Sequence, residues 1–158
     1  MRPPRAHRHG AAGTARRLRG AAAAWALAIL SGAAPVAANA ATCGDRLPAG
    51  PRQVARTGDW TVAFQPRPAP WVSGKPLLLE LEVCGPAGAA MPARVAVDAD
   101  MPAHKHGMNY RPTVRALAPG RYQAEGLLLH MAGRWRILID LQPAQGAALR
   151  IEAPIDVP

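Results

Sequence analysis

The chain has 158 residues and a formal charge of +9, from 19 Lys and Arg against ten Asp and Glu. Six of those cations (Arg2, Arg5, Arg8, Arg16, Arg17 and Arg19) precede residue 20 with no acid among them, so residues 41–158 hold 13 against ten, a charge of only +3. The remaining cations are scattered singly, without the basic stripe and neighbouring aromatics that a nucleic-acid surface needs, which excludes nucleic acid as a partner.

In chain order, the basic start is followed by an apolar run, Ala21 to Ala38, that ends in Ala38-Asn39-Ala40, the small-x-small pattern a signal peptidase accepts. Residues 1–40 therefore read as a cleaved signal peptide; the run is short and alanine-rich for the other reading, an uncleaved anchor. Arg16-Arg17 invites twin-arginine export, but Arg19 stands where that signal has a bulky apolar residue, so general secretion is expected. The expected location is periplasmic or secreted, with no stable membrane span after cleavage. An exported chain meets an oxidising compartment, so Cys43 and Cys84 are expected to form a disulfide. A thiol pair that binds metal or exchanges electrons is the other reading, without the Cys-x-x-Cys spacing such pairs use.

Residues 41–58, rich in Gly and Pro, read as a loose N-terminal extension, and residues 59–158 as one domain. Asp59 to Phe64 has strand composition and runs into Pro66, Pro68 and Pro70. Leu77 to Cys84 alternates, with Leu77, Leu79, Leu81 and Val83 on one face and Glu80 and Glu82 on the other. Arg94 to Asp98 alternates again, and Met108 to Leu117 reads as a strand at an edge or bulge because of Pro112. Leu117-Ala118-Pro119-Gly120-Arg121-Tyr122 has the form of a tyrosine corner, in which the phenol hydrogen-bonds backbone across a turn. Tyr122 to Leu129 and Arg134 to Leu141 are expected to form a hairpin around His130-Met131-Ala132-Gly133, and Ala148 to Ile155 is the last strand. With no helical periodicity anywhere in residues 41–158, the prediction is all-β, an immunoglobulin-like antiparallel β-sandwich of about seven strands.

One stretch stands apart from this pattern. Met101-Pro102-Ala103-His104-Lys105-His106-Gly107-Met108 places two imidazoles and two thioethers within eight residues, and that ligand set suits copper, Cu(I) above all. In extended chain His104 and His106 would point to one side with Cα atoms roughly 6.5 Å apart. Successive connections of an antiparallel sandwich alternate between its ends, so the loop 99–107 and the turn 130–133 should share one end and the turn 118–120 the other. His130 and Met131 can then join the group. The candidate metal residues are His104, His106, His130, Met101, Met108 and Met131, with core filling the competing role for each methionine. Asp98 and Asp100 are either orienting partners for a histidine ring or solvated acids, and Trp135 and Tyr110 are core or rim aromatics.

The run from Asp98 to Met108, followed by Gly120-Arg121-Tyr122, Gly126-Leu127 and His130-Met131-Ala132-Gly133-Arg134-Trp135, resembles the YtkA-like domain, a group related to FixH. The resemblance implies an exported or membrane-tethered immunoglobulin-like sandwich linked to copper handling or to assembly of copper-containing respiratory oxidases. In it His104 and His106 match the family's histidine loop, and Met101 its methionine.

The expected function is thus an exported copper-binding chaperone or scavenger with a copper acceptor protein or respiratory oxidase as partner, and not an enzyme. The competing function is a metal-free interaction or pH-sensing module. Ser73 is the one serine after residue 40 and has no histidine near it in sequence, and no glycine-rich phosphate loop follows a strand.

Overall fold

A computed structural model of the chain describes residues 42–158; the expected signal peptide lies outside them. Two antiparallel sheets carry the fold. The five-stranded sheet has the order β1 (Gln53–Thr57), β2 (Trp60–Arg67), β3 (Pro76–Cys84), β7 (Arg121–Leu128), β6 (Thr113–Ala118). The four-stranded sheet has the order β5 (His106–Gly107), β4 (Arg94–Met101), β8 (Gly133–Gln142), β9 (Leu149–Val157). The all-β sandwich is as expected.

Alternation places the core. Leu77, Leu79, Leu81 and Val83 of β3 are buried, and so are Trp135, Ile137, Ile139 and Leu141 of β8, so the two sheets close on each other through these period-two faces. Burying a leucine or isoleucine of this kind contributes about 1.5 to 3 kcal/mol each relative to leaving it in water. Among the described residues no helix is long and apolar enough to cross a membrane.

Among the described residues nine strands stand where seven were expected, and the two additions have separate causes. β1 lies in the stretch read as a loose extension; it is short and polar, but its backbone pairs with β2 from Gln53↔Phe64 to Thr57↔Trp60. β5 is two residues of the histidine loop folded back onto β4. Pro66 stays inside β2 because β1 pairs no further than Phe64, leaving an open side for a residue without N–H.

Two further expectations are corrected. β7 and β8 do not form a hairpin: β7 pairs with β3 and β6, β8 with β4 and β9, and residues 129–132 cross from one sheet to the other. In separate sheets, the apolar faces of β7 and β8 both turn into the one core between the layers. Nor is a tyrosine corner built. Among the described residues the Tyr122 phenol makes no hydrogen bond to backbone; Tyr122 is buried, and that burial pushes its pKa up. The turn before it is held instead by Val83 N–H donating to Gly120 O at 2.7 Å.

The segment before β1 is docked, not loose. Cys43 and Cys84 form the expected disulfide, with Cα atoms 6.0 Å apart. Glu82, only 4% exposed, accepts from the backbone N–H of Gly44 (3.1 Å) and Arg46 (3.0 Å) and from Arg46 Nε (2.6 Å). A buried carboxylate is costly unless it is met by donors in this way. Arg46 also reaches Pro119 O, and Arg121 donates to Arg46 O, which ties the segment to the turn between β6 and β7.

Candidate metal centre

The loop after β4 is a tight reversal. Met101 pairs with His106 and Asp100 with Gly107; between them Pro102–His104 form a single 3-10 turn, and Lys105 takes the left-handed conformation at φ +57°. Such a conformation in a non-glycine residue is strained and persists only where neighbouring structure enforces it. Here the enforcement is the β4–β5 pairing and Met108 N–H donating to Ala99 O at 3.1 Å. His104 is therefore in a 3-10 turn and not in the extended chain expected of it.

The rings nonetheless gather. Ring centres are 5.8 Å apart for His104 and His106 and 5.0 Å for His106 and His130. Two imidazoles bound to one ion at about 2.0 Å in tetrahedral fashion place their ring centres about 5 to 5.5 Å apart, so the His106–His130 spacing suits a shared ion and the His104–His106 spacing is slightly wider. His104 and His130 are exposed and His106 half-buried between them. His106 Nδ1 lies 3.2 Å from Gly107 O; a proton on Nδ1 would make that a hydrogen bond and leave the Nε2 lone pair free for a ligand. Among the described residues no three His, Cys, Asp or Glu side chains already close on one point as a ligand set. His106 is the shared neighbour, in ring contact with both His104 and His130.

The floor under these rings is Trp135, which is fully buried. Its ring centre is 5.6 Å from that of His106 and 5.3 Å from that of His130, and both contacts are edge-on. Its Nε1–H donates to Met131 O at 2.9 Å. Sequence reasoning left Trp135 as a generic core or rim aromatic; the available signal was its place at the head of the buried face of β8, five residues after His130.

The methionines divide. Met101 is 2% exposed and belongs to the core, its methyl beneath Gly133. Met108 and Met131 are half-buried and packed on the core's edge, flanking the rings in sequence. Neither aspartate turns to a ring: Asp100 takes both Nε (2.9 Å) and Nη2 (2.6 Å) of Arg136, and Asp98 accepts from Ala99 N–H. Tyr110 is an exposed rim residue.

The disulfide is remote from all of this. Cys84 ends β3 beside the β6–β7 turn, whereas the histidines cluster where β4 and β7 end and β8 begins, near the start of β3. The cysteines are bonded to each other at the opposite end of the sandwich and contribute no ligand.

No curated protein and no solved structure matches the chain. A family description, YtkA-like, matches residues 55–140, a span that runs from β1 into β8 and takes in the histidine loop, His130 and Trp135. With more than half of its length inside that match, this chain belongs to the YtkA-like family.

Proposed function

We propose that this protein is an exported copper carrier or scavenger, not an enzyme, that holds Cu(I) through His104, His106 and His130 with thioether sulfur from Met108 or Met131. The observation that carries the proposal is the gathering of three imidazoles at one end of the sandwich, with the His106–His130 pair at ion-sharing distance and His104 next to His106. Borderline nitrogen with soft sulfur favours Cu(I) over magnesium or calcium. Exposed rings suit a carrier, because a ligand from an acceptor can approach the ion before the donor releases it. The family likeness makes a copper acceptor protein, a respiratory oxidase among them, the expected partner. The basic leader and the Cys43–Cys84 pair support a periplasmic or secreted location.

Three side chains with nucleophilic potential are already committed, which supports a non-enzymatic role. Ser73 Oγ donates to Pro158 O at 2.9 Å, and both cysteines are in the disulfide.

Anaerobic titration with Cu(I) against a competing chelator tests the reading. The parent chain should take up copper, and the double substitution His104→Ala with His106→Ala should abolish uptake. Unchanged copper stoichiometry in the double variant would overturn the site. A parent chain that retains no copper mass when purified from copper-supplemented cells would leave the metal-free docking module as the function.

A further inference from the structure

We infer that Trp135 is the positioning residue of the histidine site, acting on His130 through the Met131 carbonyl and on both inner rings through its indole. The inference rests on the copper reading above but is carried by its own geometry. Residues 129–132 cross between sheets, so strand pairing does not hold the backbone that bears His130. One hydrogen bond reaches into that crossing from the core, Trp135 Nε1–H to Met131 O at 2.9 Å, and a second, Gly74 N–H to Leu129 O at 2.7 Å, holds its start. Trp135 itself cannot drift. It is fully buried, and its backbone pairs with Ile155 of β9.

The indole also sets the rings. Edge-on contacts at 5.3 Å with His130 and 5.6 Å with His106 place the electron-rich face of one ring against the positive edge of another. Among the described residues only His106 and His130 are in ring contact with the indole, and their own ring centres are 5.0 Å apart. Trp135 thus presents two of the three imidazoles at ion-sharing distance before any ion arrives, which lowers the ordering cost of binding.

Replacing Trp135 by 3-benzothienylalanine, which keeps the ring outline and loses the N–H donor, tests this without opening a cavity; Trp135→Phe is the second variant. In the metal-free protein the His130 ring resonances should shift and the amides of residues 130–133 should exchange faster. Cu(I) affinity against the chelator should fall roughly five- to tenfold, the effect of one lost hydrogen bond. In the His130→Ala background the same replacement should change affinity no further. Unmoved His130 resonances together with unchanged affinity would overturn the inference. If the parent chain takes no Cu(I), the copper reading fails separately, and the His130 resonances alone decide: moved rings uphold positioning and unmoved rings defeat it.

Discussion

At the scale of single residues, Gly133 shows how the site constrains its neighbours. Its φ is +127°, a conformation L side chains avoid, and a Cβ there would run into the methyl of Met101. Gly133→Ala should therefore cost about 2 kcal/mol or more, combining backbone strain with displacement of a buried side chain. The urea unfolding midpoint measures it; a variant as stable as the parent would show that Met101 does not occupy that space. His104 and His106 were legible in the sequence because two imidazoles beside thioethers are chemically conspicuous wherever they fold. The division among the methionines was not, since a thioether has the same composition in a core as at a ligand position, and only burial separates Met101 from Met108 and Met131.

At the scale of elements, β3 and β8 were readable because each alternates strictly, and alternation has one cause, a half-buried strand. β1 and β5 were not, because short strands are made by the partner they lie against. The N-terminal clamp is also an element-level feature. The disulfide closes a loop across 41 positions, and the chain-entropy account assigns such a closure about 4 kcal/mol. Reduction, or Cys43→Ser with Cys84→Ser, should lower stability by that order while leaving Cu(I) affinity unchanged, because the bond sits at the far end of the sandwich from the histidines. Thermal melts with and without reductant, paired with the chelator titration, check both halves; loss of copper binding on reduction would place the cysteines in the site after all.

At the scale of the whole molecule, carboxylates on both sheets tie stability to pH. Glu80 is opposed by burial, yet hydrogen bonds from Gln65 and Arg67 and the charges of Arg67 and Arg121 hold its pKa below the ordinary value. Asp140 is lowered by its hydrogen bonds from Arg150, against burial, and by that residue's charge. A carboxyl whose folded pKa is depressed contributes stability that is complete above the unfolded value, near about 4. That contribution is lost as pH falls through the folded value. The urea midpoint should stay level from neutral pH to about 5 and then drop below about 4. Glu80→Gln should lower the neutral midpoint and flatten the drop. A midpoint equal at neutral pH and in strong acid would contradict this.

The sequence by itself determined the class of fold, the disulfide partners and the residue composition of the loop, because alternation, a single pair of cysteines and a His/Met cluster are properties of residues in order. It also brought His130 to the correct end, since chain reversal at each turn follows from antiparallel pairing. Only the tertiary structure decided that β7 and β8 lie in different sheets, that Trp135 sits beneath the rings, and which thioether is buried. Those outcomes depend on which apolar faces meet across the core, and that is a competition among all the strands at once.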